Sequence, residues 1–504
     1  MQELKEKSLI ILDCDLRIND NPALFNGIKN HQEAIILFIL DEKNKREIGL
    51  ASKWFLHHSL LKIQKELKNH SLDLWFAKGD SLTIINGIID KYQVSKIYFN
   101  QHLEPYNLKL GEKLINFAKE NNIKIYNFHH QTIFEKDLIK NKSGEYFKVF
   151  TPFWKNCLEN IDKINRLTPC ISKIEHKAKN AIFKNTTPEI IDKNIDYLDL
   201  LPKKEWANNF VDYWKFSSEE INTDFDKFLK EKSFSYDQNR NLPFIDGTSK
   251  LSPYLHFGTI SPLEIFIKAI KYKKEKNSLD NKGIDCFISE IGWREFSYYL
   301  LQNFPDLHQK PFKDNFNNFP WLENQEQKNI LLKKWQKGQT GFPIIDAGMM
   351  ELWKTGWMHN RVRMIVASFL IKDLLINWLD GEKWFWDCLV DADLASNSAS
   401  WQWVAGCGAD AAPYFRIFNP TLQGEKFDPN GDYVKKWLPQ LKSLPNHLIH
   451  KPWNATKIEL ALYNLTLGKD YPLPIVDHDK ARKIALEAIK KLTISTKQIT
   501  DIVK

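Results

Sequence analysis

The sequence predicts two domains, an α/β domain built on a doubly wound parallel sheet of five strands and an all-α domain joined to it by a long connection. Three observations support this fold class. The chain of 504 residues is longer than one hydrophobic core usually organises. Residues 8 to 130 alternate short apolar runs with amphipathic stretches, which is typical of βαβ units. From Trp206 onward helical periodicity dominates, and no strand pattern of comparable quality returns.

The five strands are predicted at five apolar runs, which are SLIIL, AIILFIL, LDLWFA, KIYF and IKIYNF in chain order. Amphipathic stretches such as ASKWFLHHSLLKIQKELKNH separate these runs, as crossover helices separate the strands of a parallel sheet. No GxGxxG motif follows the first run, so the usual dinucleotide-binding fingerprint is absent. The α/β domain is predicted to cover residues 1–131.

The middle of the chain predicts an irregular connection over residues 132–205. It has no sustained period, and its prolines interrupt any regular element: Pro152, Pro169, Pro188 and Pro202. The helical domain is then predicted over residues 206–480, followed by a short C-terminal extension over residues 481–504.

Composition excludes several classes of protein. The longest apolar run has about seven residues, against the ~20 that a membrane helix needs. The first 15 residues lack the apolar stretch of a secretory signal, so a cytoplasmic location is expected. The six cysteines are scattered, with no CxxC pair and no zinc-ligand spacing, so no metal site is expected. The formal net charge of +8 is compatible with a polyanionic partner, but it also fits a lysine-rich composition.

Two stretches of the helical domain place polar and aromatic side chains on one helix face. In ISEIGWREFSYYL, Glu290, Trp293 and Arg294 stand at i, i+3 and i+4. An exposed ion pair between Glu290 and Arg294 would explain this spacing as well as a binding site would. In GWMHNRVRMIVASFLIKDLL, Asn360 and Met364 are again four residues apart.

The residues around Asn360 also have ordinary interpretations. Arg361 and Arg363 fit a solvated face, and His359 fits a hydrogen-bonded structural histidine. An apolar stripe that includes Val362 and Ile365 predicts the buried face of this helix.

The stretch FIDGTSKLSPYLHFGTIS predicts an anion site. Thr248, Ser249 and Ser252 bracket a turn that opens a helix, where hydroxyls and free backbone N–H groups can bind a phosphate. An ordinary helix cap explains one hydroxyl but not three in five residues.

The stretch DADLASNSASWQW, from Asp391 to Trp403, combines two carboxylates, an asparagine among small residues and two tryptophans one residue apart. It is too polar for a core strand and too aromatic for a plain loop. Taken alone, Asn397 fits a cap in a turn as well as it fits a site residue.

In order, GTSKLSPYL, EIGWREF, GWMHNRVRM and DADLASNSASWQW followed by PYFRIFNPTLQGEKFD resemble the photolyase and cryptochrome family. Each motif is weak alone, but their combination is specific and covers nearly the whole chain. Within the family the motifs match class I photolyases best, which repair cyclobutane pyrimidine dimers in DNA. The resemblance implies that this chain is such an enzyme, a deoxyribodipyrimidine photo-lyase with an all-α domain that binds FAD.

The resemblance also implies the residues around the cofactor. By matching position they are Tyr236, Thr248, Ser249, Lys250, Leu251, Ser252, Phe287, Arg294, Asp391, Ala392, Asp393 and Asn397. Asn397 matches the asparagine that faces the flavin N5, where a neutral amide accommodates either redox state. Plant cryptochromes carry aspartate at this position, so Asn397 favours a repair enzyme that works from reduced flavin.

The residues implied for the lesion and the DNA are Arg240, Glu290, Trp293, Arg294, Asn360, Arg361, Met364, Trp403, Arg416 and Gln423. The two tryptophans would form aromatic walls and Met364 would lie against the pyrimidines. Glu290, in its protonated form, and Asn360 would hydrogen-bond the bases. Arg240, Arg361 and Arg416, with Gln423 and Lys426 nearby, would contact phosphates.

The implied reaction is electron transfer. Light excites the reduced flavin, an electron passes to the dimer, the cyclobutane ring opens and the electron returns. The lesion must leave the duplex to reach the flavin, and a damaged pair costs less to flip than an intact one. Besides Glu290 and Asn397, a chain of Trp401, Trp378 and Trp321 would take part by photoreducing oxidised flavin.

Some departures from the family pattern leave a second, antenna chromophore uncertain. The first strand reads ILDCDLR, which keeps Asp15, Leu16 and Arg17 but lacks the family's aromatic and first basic residues. Tyr106 and Asn107 stand near the place of an expected glutamate, for which Glu104 is a poor substitute. The cysteine and lysine expected from the helical domain are replaced by Leu307 and His308. A folate, a deazaflavin, another flavin-like molecule or no antenna are all open.

Three alternatives remain at the level of sequence. A cryptochrome-type photoreceptor would also keep FAD and the tryptophans, but the lesion-facing set is complete here and little chain follows Lys480. A (6-4) photoproduct photolyase would carry histidines near the lesion, and His359 is the one histidine in that stretch. If the motifs matched by coincidence, the chain would be a two-domain nucleotide-binding protein without an assignable reaction. UV-damaged DNA is the expected partner, with no membrane, and the protein is expected to act as a monomer.

Overall fold

The computed structural model describes residues 7–29, 31–164, 166–175, 177–180, 191–203, 205–276, 281–410 and 416–502, with the backbone alone for residue 205 and residues 493–502. Pro188 of the connection and the first residues of PYFRIF lie outside these ranges. Among the helices in these ranges, none is both long and apolar enough to cross a membrane.

Five parallel strands form the central sheet of the first domain. They are β1 (Lys7–Leu12), β2 (Glu33–Leu40), β3 (Leu74–Lys78), β4 (Lys96–Asn100) and β5 (Lys124–Phe128). Their spatial order is β3-β2-β1-β4-β5, so β1 is the strand from which the chain winds outward in both directions. A two-residue strand, β6 (Lys179–Asn180), adds to the free end of β2. The predicted five-stranded, doubly wound sheet is confirmed.

Alternation along the strands places a core on each face of the sheet. Ile10 and Ile36 contact one core, while Leu9 and Ile35 contact the other. The helices that cover the two faces are α1 (Pro22–Ile28), α2 (Leu50–Lys68), α3 (Ser81–Tyr92) and α4 (Pro105–Glu120). The first of the two cores continues into the helical domain, so this face of the sheet is an interdomain face.

In its described part, the predicted irregular connection contains the helix α5 (Phe150–Glu159) and the two-residue strand β6. The prediction of no regular structure was wrong here, because Pro152 lies in the first turn of the helix, where a missing N–H costs little. Phe150, Phe153 and Trp154 form one buried face that packs on the long helix carrying Glu290.

Helices dominate the rest of the described chain. Those preceding the cavity described below are α6 (Ser218–Glu231), α7 (Tyr236–Asn239), α8 (Ser252–His256) and α9 (Pro262–Lys276). The central set is α10 (Lys282–Asn303), α11 (Gln325–Gln336), α12 (Pro343–Thr355), α13 (Asn360–Ser368), α14 (Trp378–Cys388) and α15 (Leu394–Ala405). The last set is α16 (Pro420–Phe427), α17 (Asp432–Trp437), α18 (Lys457–Ala461) and α19 (His478–Ile502).

Helix α19 runs through position 480, the predicted end of the catalytic domain. The domain boundaries stay a prediction.

Candidate functional site

A cavity of about 530 Å³ lies among α10, α13, α14 and α15, within the usual volume of a ligand site. Nineteen of its lining residues are polar or aromatic, and most of the rest are aliphatic residues such as Leu300 and Ala367. Its walls come from segments that are far apart in sequence, from Arg240 to Asp410. The cavity is therefore a product of tertiary packing.

Many of the predicted site residues meet at this cavity: Arg240, Ser252, Glu290, Trp293, Arg294, Asn360, Arg361, Met364, Asp391, Ala392, Asn397, Trp401 and Trp403. Others do not line it: Tyr236, Thr248, Ser249, Lys250, Leu251, Phe287, Trp321, Trp378, Asp393, Arg416 and Gln423. The first group contains residues predicted for the cofactor and residues predicted for the lesion. A cofactor and a lesion bound by these residues would therefore share one cavity. The individual roles stay predictions.

Glu290 is paired with Arg240, whose Nη2 lies 2.6 Å from its Oε2. The alternative of an ion pair with Arg294 is therefore wrong in its partner, and the Glu290 carboxyl, predicted to be protonated, has the Arg240 cation beside it. Burial raises the pKa of Glu290, while the charge of Arg240 opposes that rise. Burial and the Arg240 charge therefore act in opposite directions on the pKa of this carboxyl group at the cavity wall.

Arg294 instead links the helical domain to residue 131, the predicted end of the α/β domain. Its Nη1 donates to the carbonyl of Gln131 at 2.8 Å, and its guanidinium lies 4.8 Å from the ring centre of Tyr298. It is one helical turn from Glu290 but is aimed elsewhere, because arginine has enough length to reach a backbone carbonyl across the domain boundary.

The predicted aromatic wall Trp293 is fixed from behind by Phe150. The two rings stack with centres 3.8 Å apart and planes 10° apart. The connection thus supplies the support of a cavity residue through α5. Trp403, the second predicted wall, is half-buried and lines the cavity from α15.

Helix α13 contributes Asn360, Arg363, Met364 and Ala367 to the cavity. These stand at i, i+3, i+4 and i+7, which is the spacing of one helix face. Arg363 was interpreted from sequence as solvated charge, and this was wrong. The helical spacing from Asn360 was the signal that could have found it.

Arg363, Asp391 and Ser252 form a polar cluster on the cavity wall. The Nη2 of Arg363 lies 2.8 Å from Oδ2 of Asp391, and the Ser252 hydroxyl donates to the same oxygen at 2.6 Å. The other oxygen, Oδ1, is buried and has no hydrogen-bond partner among the described residues. An unpaired buried carboxylate oxygen beside a cavity fits a hydroxyl donor of a bound cofactor, such as a ribityl or ribose group.

Asn397 lines the cavity from the second turn of α15. Its Nδ2 donates to Oε1 of Glu382 at 2.8 Å and to the Glu382 carbonyl at 3.2 Å. Both amide hydrogens are thus used by the protein, which leaves Oδ1 as the polar atom for a group in the cavity. Glu382 was missed at the level of sequence, because nothing local in α14 marks it as a partner of Asn397.

Several predicted cofactor residues have structural contacts away from the cavity. Phe287 and Tyr236 form an edge-to-face pair with ring centres 5.7 Å apart. Asp393 caps α15 through the N–H of Ser396 at 2.7 Å, and it also accepts a hydrogen bond from Tyr298.

The predicted hydroxyl site is divided. Ser252 is engaged with Asp391, whereas the half-buried hydroxyls of Thr248 and Ser249 make no hydrogen bond within the part of the chain described here. They precede α8 on a turn where Lys250 has a φ of 52°. Two free hydroxyls on this turn remain compatible with a phosphate, and the role is still a prediction.

Solvent exposure increases along the predicted tryptophan chain, from the first two members to the last. Trp401 and Trp378 are each 2% exposed, whereas Trp321 is half-buried. Trp401 packs directly on Gly381, where a Cβ would come within 2.2 Å of the indole. Next to Trp321, the N–H of Leu322 donates to the carbonyl of Leu375 at 2.8 Å. This hydrogen bond ties the backbone beside Trp321 to the segment that precedes α14.

At the carboxyl ends of β1 and β4, where the winding direction changes, the structure has an acidic and tightly bonded cluster. Asp13 accepts hydrogen bonds from Lys45 at 2.9 Å and from Asn107, and Tyr106 donates to Asp41. This crevice is the usual ligand position in such folds, but its carboxylates are already satisfied by protein donors. Leu307 is buried and lines the cavity of the helical domain, whereas Tyr106 and Asn107 do not line it, and the antenna stays open.

Comparison with known proteins identifies the two domains. Residues 8–172 match the family described as DNA photolyase, and residues 287–491 match the FAD binding domain of DNA photolyase. A deoxyribodipyrimidine photo-lyase of Agrobacterium fabrum is 41% identical over 95% of this chain and 97% of its own length. The chain belongs to the photolyase and cryptochrome family.

Further relatives divide between the two branches of the family. Cryptochrome-2 of Arabidopsis thaliana is 34% identical over 97% of this chain and 79% of its own length. A crystal structure of a bacterial class III photolyase from Agrobacterium tumefaciens superposes with a TM-score of 0.89 at 38% identity, covering 98% of this chain and 99% of that one.

The predicted family, fold class, FAD cofactor and enzyme class are confirmed. The class I resemblance is not confirmed, since the similar solved structure is described as class III.

Proposed function

We propose that this protein splits cyclobutane pyrimidine dimers in DNA, using light absorbed by reduced FAD. The single observation that carries this proposal is the shared cavity, in which Asp391 and Asn397 face the same space as Glu290, Trp293 and Trp403. A flavin held by the first group and a pyrimidine pair held by the second would be close enough for direct electron transfer.

FAD, when bound, supplies the excited electron, and the protein supplies binding and orientation. Oδ1 of Asp391, which has no hydrogen-bond partner among the described residues, would accept a cofactor hydroxyl, and Arg363 lies 2.8 Å from the other oxygen of that carboxylate. The carbonyl of Asn397 would be the group that accepts a hydrogen bond from a protonated flavin N5, because both N–H groups of its amide are engaged with Glu382. This orientation favours the reduced cofactor, whose N5 carries a proton.

The lesion side offers stacking and hydrogen bonding together. Trp293, fixed by Phe150, and Trp403 present aromatic surfaces to flipped bases, and such stacking is worth about 1–3 kcal/mol per base. Glu290 and Asn360 present polar atoms that pair with base carbonyl and amide groups.

Three arginines near this cavity support a DNA partner. The pKa of Arg361 is lowered by burial and by the charges of Arg240 and Arg416. Guanidinium groups that repel one another in this way gain from a shared anion, and a DNA phosphate is the anion that the lesion would bring.

The experiment has two parts. Chromophores are extracted and identified, and the chemically reduced protein is then illuminated with DNA carrying either a cyclobutane dimer or a (6-4) photoproduct. We expect FAD and light-dependent loss of the cyclobutane dimer alone. Repair of the (6-4) product would contradict the proposed lesion class. His359, which caps α13 through the N–H of Arg361 and does not line the cavity, gives that reaction no support.

A cryptochrome-type photoreceptor is the second candidate, favoured by the 34% identity to a plant cryptochrome. It predicts bound FAD and photoreduction without repair of either lesion. The same assay separates the two, since dimer loss under light excludes a purely signalling role.

A further inference from the structure

The loop between β2 and α2 of the α/β domain lies against α14 of the helical domain. The N–H of Leu50 donates to Oδ1 of Asp387 at 3.0 Å, and the indole N–H of Trp386 donates to the carbonyl of Glu47 at 2.7 Å. Gly49 approaches so closely that a Cβ there would come within 2.0 Å of the Trp386 carbonyl oxygen. These contacts hold the loop in place without the side chain of Arg46.

Arg46 extends from this loop to Glu382. Its Nη1 and Nη2 lie 2.7 and 2.8 Å from the two carboxylate oxygens, a two-pronged pairing that fixes the plane of the carboxylate. The guanidinium also lies 4.1 Å from the centre of the Trp386 ring system. Glu382 is 1% exposed, and Arg46 is the one cation that pairs with it among the described residues.

The oxygen of Glu382 that faces Arg46 Nη1 is also the one that accepts from Asn397. Arg46 therefore fixes Glu382, and Glu382 fixes the amide of Asn397 at the cavity. The α/β domain and the cavity are connected by two consecutive polar contacts.

We propose that Arg46 is a positioning residue for the flavin, acting through Glu382 to hold the Asn397 carbonyl toward the cofactor. The inference rests on the proposed function only in placing Asn397 beside the flavin N5. Without Arg46 the buried carboxylate loses its cation and must rearrange, which frees the Asn397 amide to turn and present N–H instead of oxygen. An N–H donor at N5 favours oxidised flavin, which has no proton there.

The test measures the midpoint potential of bound FAD in the holoprotein. In Arg46→Met we expect the ratio of reduced to oxidised flavin at a fixed potential to fall about tenfold, the value of one hydrogen bond. For a two-electron couple this is a shift of about 30 mV to more negative potential. Arg46→Lys, which keeps the charge and one contact, should recover most of the parent potential.

The control is Lys328→Met. Lys328 lies 2.8 Å from Asp380, so it also forms an ion pair with α14, and the exposures of the two partners are similar at 20% and 22%. This variant should leave the potential unchanged. Combining Arg46→Met with Asn397→Ala tests the route, because the effect of Arg46 should disappear once the amide is absent.

An unchanged potential in Arg46→Met, or an equal shift in the Asn397→Ala background, would overturn the inference. Should Arg46→Met fail to retain FAD, Arg46→Gln, which keeps one donor, is measured in its place against the same expectations. Potentials are recorded without DNA, so a protein that binds FAD but repairs nothing would refute the proposed function while still testing the role of Arg46.

Discussion

The Glu290 carboxylate has Arg240 as its cation, and both groups line the proposed lesion side of the cavity. In Glu290→Ala we expect FAD to be retained and the affinity for dimer-containing DNA to fall by about 1–3 kcal/mol, because base groups are left without a partner. Binding is measured by titration with lesion and intact DNA, and repair yield is measured under light.

Asp285→Ala is the matched control, since Asp285 lies on the same helix and forms an exposed pair with Lys273 at 2.6 Å. It should change stability by less than about 1 kcal/mol and leave lesion binding intact. Normal lesion affinity and repair in Glu290→Ala would reduce Glu290 to a structural partner of Arg240.

Arg361 carries the prediction about phosphate contacts. Its Nη2 donates to Asn241 at 2.6 Å, and its guanidinium lies 4.5 Å from the ring centre of Phe427, so its head is held at a fixed place. Arg361→Ala should weaken binding to damaged and undamaged DNA similarly, and it should reduce the slope of log affinity against log salt by about one.

The control for Arg361 is Lys193→Ala, which removes a cation of the connection that pairs with Asp73 of the α/β domain at 2.6 Å. The salt slope of this variant should equal that of the parent. If Arg361→Ala and Lys193→Ala behaved alike, the phosphate contact would be assigned to the wrong residue.

Helix α15 presents two tryptophans to different neighbours. The indole of Trp401 is buried against α14 and lies 5.0 Å, centre to centre, from Phe385, whereas Trp403 is half-buried at the cavity wall. Trp401→Phe keeps most of the ring volume but loses the easily oxidised indole. We expect blue light with an external reductant to reduce the flavin poorly in this variant, while chemically reduced protein still repairs.

Trp403→Ala should show the opposite pattern. Photoreduction of the flavin should remain, while dimer binding weakens by about 1–3 kcal/mol through lost stacking. Both activities are measured in both variants. Normal photoreduction in Trp401→Phe, or parent-like lesion binding in Trp403→Ala, would return that tryptophan to a packing role.

At the scale of helices and strands, the sequence predicts an element well where one hydrophobic pattern extends over many residues. The five strands follow from short apolar runs separated by amphipathic stretches, and the shared face of Glu290, Trp293 and Arg294 on α10 follows from their i, i+3, i+4 spacing. Helix α5 escaped prediction because Pro152 was taken as a break, although a first-turn proline is compatible with a helix. Partners chosen by long side chains also escaped, as Glu290 pairs with Arg240 from a separate helix.

Over the whole molecule, the contacts between the two domains also could not be predicted. Arg17 of the first-strand motif donates to the carbonyl of Gly258 at 3.0 Å, and Arg46 reaches Glu382. Local patterns carry no information on such pairs, because their partners are separated by hundreds of residues. The motif resemblance predicted a set of site residues, many of which line the cavity, but not the contacts that hold them in place.

Glu295 links α10 to the start of the connection and is fully buried. Its Oε2 accepts from the N–H groups of Ile133 and Phe134 at 2.7 and 3.3 Å, while Oε1 has no hydrogen-bond partner among the described residues and lies 3.6 Å from Nη1 of Arg294. Burial raises the pKa of Glu295 to about 7, against opposing effects of Arg294 and of the two N–H donors.

The pH dependence of stability follows from this raised pKa. Between about pH 4.5 and pH 7 the unfolded chain ionises at this position while the folded protein keeps its proton, so rising pH favours unfolding. The stability that Glu295 contributes below pH 4.5 should therefore be lost by about pH 7, with a size of about 3 kcal/mol at ~1.4 kcal/mol per pKa unit.

Glu295→Gln cannot ionise and can still accept both N–H groups, so its stability should fall less over this range. Urea unfolding of parent and variant at matched pH values measures the difference, with the exposed substitution Glu326→Gln as control. Parallel pH profiles for the parent and Glu295→Gln would mean that the buried carboxyl does not hold its proton in the folded protein.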